Sequence, residues 1–121
     1  MTYKKLESIV SDLVKIADDK KAEDLRSYYV SEKNWMTDYV IVIGVMNKIQ
    51  SKAILQDIEK YIYSLDDQDD LFAVPRVSGT SESGWLILDL NSIVLHFVDQ
   101  EIRDFYDIDT LFESQGDVYH Y

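Results

Sequence analysis

The sequence predicts a mixed α/β (α+β) domain, a mostly five-stranded sheet flanked by helices. Three patterns carry that reading. Leu6, Ile9, Val10, Leu13, Val14 and Ala17 recur at helical spacing. Tyr39-Val40-Ile41-Val42-Ile43-Gly44-Val45 is a continuous, largely β-branched run, as expected of a strand covered on both faces. Residues 84–112, GWLILDLNSIVLHFVDQEIRDFYDIDTLF, hold two alternating strands around a tight turn and then a short helical tail.

In chain order, residues 3–18 form an amphipathic helix, and the stretch from Asp18 to Asp24 is a charged break. Leu25 to Val30 alternates weakly, which suits a short strand at an edge. Trp35-Met36-Thr37 leads into the apolar strand, after which Gly44 lets the chain turn sharply. Asn47, with Gln50 three residues on, has the pattern of a helix cap. Ile54, Ile58, Tyr61, Ile62 and Leu65 mark the buried face of the helix that follows. Asp66-Asp67-Gln68-Asp69-Asp70 ends it as a solvated turn, since a carboxylate metal loop needs spaced ligands and a glycine. Leu71 to Val74 reads as a strand stopped by Pro75, and residues 39–74 as a right-handed crossover giving a parallel pair. Residues 78–84 are polar and glycine-rich and read as a flexible loop.

A hairpin follows. With its turn on Leu90-Asn91 or Asn91-Ser92, one face carries Leu86, Leu88, Leu90, Ile93, Leu95 and Phe97 and is wholly apolar. The other carries Trp85, Ile87, Asp89, Val94, His96 and Val98, a mixture suited to meeting a partner. Asp99 can cap the final helix. Tyr119-His120-Tyr121 reads as a loose tail, so the single domain is expected to span 1–113 with 114–121 as a C-terminal tail.

At 121 residues, 46% of them apolar, the chain is long enough for one cored domain. There is no apolar run of about eighteen residues to cross a membrane, and the start lacks the pattern of a signal or transit peptide. Without cysteine, neither disulfides nor thiolate chemistry is available. A cytoplasmic location is the expectation. The balance of 12 basic to 23 acidic residues, net −11, repels nucleic acid phosphate and favours a basic protein partner.

Four segments then converge on one resemblance: Thr37-Asp38-Tyr39-Val40-Ile41-Val42-Ile43-Gly44, Gly84-Trp85-Leu86-Ile87-Leu88-Asp89, Ile93-Val94-Leu95-His96, and Arg103-Asp104-Phe105-Tyr106-Asp107-Ile108-Asp109-Thr110-Leu111-Phe112. In order and spacing they resemble the ribosomal silencing factor family, also called Iojap, across residues 5–112. The resemblance implies a binding role and no reaction or cofactor. It implies docking on the basic large-subunit ribosomal protein fourteen, obstruction of small-subunit joining under nutrient limitation, and a nucleotidyltransferase-like core. By matching position it implies docking residues Trp85, Asp89 and His96 on the hairpin, with Arg103, Tyr106 and Asp109 in the tail. The family's usual glutamate and tryptophan are here Asp109 and Phe112. Asn91 replaces a glycine, and the turns at 45–48 and 78–80 also depart from the family pattern.

Plainer readings of the same residues stand beside this. Trp85 could pack under a helix of its own chain, His96 could pair structurally with Asp89, Arg103 with Asp107, and Tyr106 could be core at helical spacing from Ile102. A homodimer through the hairpin face is one alternative function. A metal-dependent nucleotidyltransferase is another, although Gly44 is followed by Val45 and Met46 rather than a serine, and Asp107 and Asp109 lie far along the chain from that turn. A hydrolase triad lacks a nucleophile context, and a zinc site lacks closely spaced ligands.

Overall fold

The computed structural model describes residues 2–31, 37–65 and 75–121. In chain order the elements are α1 (Thr2–Asp19), β1 (Glu23–Tyr29), β2 (Tyr39–Gly44), α2 (Lys48–Ser64), β3 (Arg76–Thr80), β4 (Trp85–Asp89), β5 (Ile93–Val98), α3 (Gln100–Phe105), α4 (Ile108–Glu113) and β6 (Asp117–His120). The six strands form one sheet in the order β3-β4-β5-β2-β1-β6. Among the described strands β2 and β5 run parallel to each other and the other neighbours are antiparallel.

Two apolar layers sandwich the sheet. On one face α1 and α2 bring Leu13, Ala17, Ile54 and Ile58 onto Ile41, Ile43, Leu88, Leu95 and Phe97. On the other, α4 brings Ile108 and Phe112 onto Tyr28, Val40, Val42 and Val98. The β-branched run of β2 supplies both layers alternately, because successive side chains of a strand point to opposite faces. The hairpin's apolar face is fully buried, as its alternation requires. Its register pairs Asp89 with Val94, which centres the turn on Asn91-Ser92, and Asn91 takes a positive φ of 73°. Asn47 Oδ1 accepts from Gln50 N at 2.9 Å to cap α2, and Asp99 Oδ1 accepts from Ile102 N at 2.8 Å to cap α3.

Several expectations change. Among the described residues the sheet has six strands rather than five. Residues 78–80 of the expected 78–84 loop belong instead to edge strand β3, because β4 offers a free edge and backbone pairing does not require apolar side chains; all five β3 residues are exposed. The parallel partner of β2 is β5. The proposed strand at 71–74, the acidic run at 66–70 and the Trp35-Met36 lead-in lie outside the described residues. β1 is an inner strand, since residues 117–120, expected as a loose tail, pair with it as β6. Gly44 is needed for space rather than for a positive φ: a Cβ there would stand 2.3 Å from the Glu23 carbonyl oxygen. The helical tail breaks into two pieces at Asp107, whose φ of 49° is left-handed.

Candidate docking surface

The mixed hairpin face lies under the short α3–α4 pair. Trp85 of β4 is half-buried and its ring packs on Tyr106 with centroids 5.2 Å apart. Tyr106 is 55% exposed and meets the 79% exposed Phe105 edge-on at 4.9 Å. Gly79, Ser83, Trp85, Ile87, Ile102 and Tyr106 line an open groove of ≈ 400 Å³. Along α3 and α4, residues 99–113 carry six acidic side chains against one arginine. Glu101, Asp104 and Asp107 are exposed there, so the rim around the aromatic platform is acidic.

His96 sits behind that platform. Trp85 Nε1 donates to His96 Nδ1 at 3.0 Å, which requires that nitrogen to be unprotonated. Phe112 covers the imidazole, with ring centroids 5.3 Å apart. Burial pushes the His96 pKa down to about 4, so the ring is neutral near pH 7. The structural partner of His96 is therefore Trp85 and not Asp89. Asp89 lies at the hairpin end, where Oδ2 accepts from Arg76 Nη2 at 3.1 Å and Oδ1 from Asn91 N at 2.8 Å, steadying the turn.

Arg103 is only 2% exposed. Its Nε and Nη2 donate to the two carboxylate oxygens of Asp109 at 2.7 and 2.9 Å. Asp109 also accepts from the Tyr28 hydroxyl at 2.7 Å, which ties α4 to β1. Burial opposes ionisation of Asp109, but the hydrogen bonds from Arg103 and Tyr28 and the charges of Arg103 and Arg26 outweigh it and hold the carboxyl below its usual range. Arg103 thus pairs with Asp109 rather than Asp107, whose carboxylate accepts from Thr110 Oγ1 at 2.8 Å.

The six residues singled out from the sequence fall into two groups. Trp85, Asp89 and Tyr106 reach the surface. His96, Arg103 and Asp109 lie beneath it, two of them buried, and fix the exposed ones in position. Sequence reasoning placed Ile87 on this face but passed over Phe105 and Ile102. The signal was there: Phe105 adjoins Tyr106 in a helix too short to bury both.

A profile of the family described as "Ribosomal silencing factor during starvation" matches residues 3–120. The chain belongs to the ribosomal silencing factor family. It is 26% identical over 105 residues to "Ribosomal silencing factor RsfS" of Bacillus subtilis (strain 168), covering 86% of this chain and 84% of that one. The Treponema pallidum (strain Nichols) protein of the same name is 28% identical over 97 residues, covering 79% and 82%. A crystal structure from Chromobacterium violaceum superposes with a TM-score of 0.74 at 20% identity, over 88% of this chain and 85% of that one. One from Bacillus halodurans gives 0.68 at 22% identity, over 87% and 93%. These two establish likeness of fold. Family membership reaches through β6, so the match includes the strand that the sequence alone presented as a tail.

Among the described residues no group of three or more His, Asp or Glu side chains gathers as a metal site would, and no helix is long and apolar enough to cross a membrane. Asp107 and Asp109 are engaged with different partners.

Proposed function

We propose that this chain is a cytoplasmic translational repressor that docks on the large ribosomal subunit and sterically blocks joining of the small subunit when nutrients are limiting. It acts as a binding protein, without a reaction of its own. The observation that carries the reading is the family match across residues 3–120, almost the whole of the chain. Its physical support is the aromatic platform of Trp85, Phe105 and Tyr106 with an acidic rim. Aromatic side chains are frequent interface anchors, and acidic surroundings steer such a platform toward a basic protein and away from bare RNA phosphate.

The partner in this reading is the basic large-subunit protein fourteen. Trp85 and Tyr106 supply the contact area, and Asp89 meets a cation at the hairpin end. His96, Arg103 and Asp109 act from behind by holding the platform rigid. A blocker of this kind needs only a firm site and bulk.

Co-sedimentation with separated ribosomal subunits tests it. The expected result is stoichiometric recovery with the large subunit, release as salt rises, and inhibition of subunit joining in a light-scattering assay. A folded sample that stays in the top fractions at low salt refutes the reading.

A further inference from the structure

A second surface lies on the opposite face of the sheet, where α1 stops short of the β1–β6 edge. The groove there is ≈ 540 Å³ and is lined by Glu7 of α1, Ser27 and Tyr29 of β1, Tyr39 of β2, and Tyr119 and Tyr121 at the C-terminal end, with Val10 and Ser11 at its back. Strand register explains the grouping. Tyr29 pairs with Tyr39 across β1–β2, and Ser27 pairs with Tyr119 across β1–β6, so these side chains share one face. The Tyr29 and Tyr39 rings lie 5.1 Å apart, tilted by 55°. Tyr121 is fixed by its own N–H to the Leu25 carbonyl at 2.9 Å and by a hydroxyl hydrogen bond with Ser27 Oγ, also 2.9 Å. Tyr119 and Tyr121 are each about half exposed, so the rings form a wall open to solvent.

Among the described residues the charge on this wall is of one sign. Tyrosine faces carry negative quadrupole charge. Glu7 is an exposed carboxylate at the rim. Burial, and then the proximity of Glu7, Tyr29, Tyr119 and Asp38, push the Tyr39 hydroxyl up to about 12, so the ring stays a neutral phenol throughout the physiological range. Among the described residues none lining the groove is basic. Four aromatic rings beside a carboxylate, on a chain of net charge −11, form an arrangement complementary to an organic cation.

We propose that this groove binds the guanidinium group of an arginine side chain presented by a basic polypeptide. The planar cation stacks on the tyrosine rings while its N–H groups donate to the Glu7 carboxylate. A guanidinium suits the site better than an ammonium, because it is flat, weakly hydrated and able to stack and donate at once. The groove faces away from the Trp85 platform, so the inference stands whether or not that platform meets the ribosome.

Titration of the isotope-labelled full chain with blocked arginine, N-acetyl-arginine methylamide, tests it by amide chemical shifts. The control is the citrulline counterpart, which keeps the shape and loses the charge. Saturable shifts at Ser27, Tyr29, Tyr39 and Tyr119, with citrulline weaker by roughly threefold or more, are expected from a cation held on aromatic faces. Tyr39→Leu and Glu7→Gln should each weaken arginine by about threefold. Glu7 lies at the exposed rim, so Glu7→Gln keeps the test decisive if Tyr39→Leu does not fold. Equal binding of citrulline overturns the proposal. So does an unsaturable response spread over the acidic residues of α3 and α4, or a Glu7→Gln variant that binds arginine as well as the parent.

Discussion

Removing Asp109 should cost far more than the loss of an ordinary surface carboxylate. The side chain is 20% exposed and grips an arginine that is 2% exposed. In Asp109→Ala the Arg103 cation would keep, among the described residues, the carboxylate of Asp24, whose Oδ2 stands 3.8 Å from Nη2. Its Nη1, buried without a hydrogen-bond partner already, would gain none. Breaking one half of a buried ion pair typically costs about 3–5 kcal/mol, because the remaining charge stays desolvated. Tyr28 would lose its acceptor as well. The residual contact with Asp24 argues for the lower part of that range. A domain of this size has roughly 5–15 kcal/mol of stability in all, so the variant should fold but with a large fraction of its margin gone. Urea unfolding followed by circular dichroism measures this, and the midpoint should fall with little change in slope. Adding Arg103→Met to Asp109→Ala removes the stranded cation and should restore at least about 2 kcal/mol. A loss below about 1 kcal/mol in Asp109→Ala, or a double variant no more stable than the single one, would refute the reasoning that a buried charge is being held.

Trp85→Ala should weaken large-subunit binding at least tenfold, about 1.4 kcal/mol or more, and should also lower stability because His96 Nδ1 loses its donor; Tyr106→Ala, at an exposed position, should weaken binding with less than about 1 kcal/mol of destabilisation. Unchanged sedimentation with the subunit for both variants would remove the platform from the docking site. His96 gives a pH prediction. Its folded pKa of about 4 lies below the roughly 6.5 of an unfolded histidine, so the unfolded chain takes up a proton first as pH falls. Stability should therefore drop between about pH 6.5 and 4, by up to roughly 3 kcal/mol from this residue, and the loss should level off below that window. His96→Gln should flatten this slope, and parallel pH profiles for parent and variant would count against a buried neutral imidazole. Gly116→Ala should detach β6, because a Cβ there would stand 1.7 Å from the Tyr29 carbonyl oxygen; fast hydrogen exchange at Ser27 and Tyr29, whose amides face β6, reports it, and unchanged protection would mean that the pairing survives.

The surface half of the candidate site was legible in part because hairpin parity assigns faces without knowledge of the rest of the chain. Trp85, Asp89 and His96 had to share a face once the turn was placed. How far each stands from solvent was not legible, since that depends on where α3 and α4 fold back. The break at Asp107 turns α4 so that Phe112 lands on His96 and Asp109 on Arg103. Helical spacing across 103–107 suggested a continuous helix and hence the wrong partner for Arg103. The tyrosine groove was invisible for a related reason: its residues come from four separated segments, and only sheet register and the packing of α1 on the sheet gather them.

Local pattern alone determined the α/β class, the two long helices, the doubly covered strand Tyr39–Gly44, the hairpin and both caps, because each depends on side-chain period or on a hydrogen bond within a few residues. The residues of four short segments also carried the family likeness. Tertiary structure decided what local chemistry leaves open. A polar stretch such as Arg76–Thr80 or Asp117–His120 becomes a strand only when a neighbouring edge offers its backbone groups a partner. An arginine or a histidine becomes buried scaffold only when α4 folds back to supply the carboxylate of Asp109 and the ring of Phe112 that close over it.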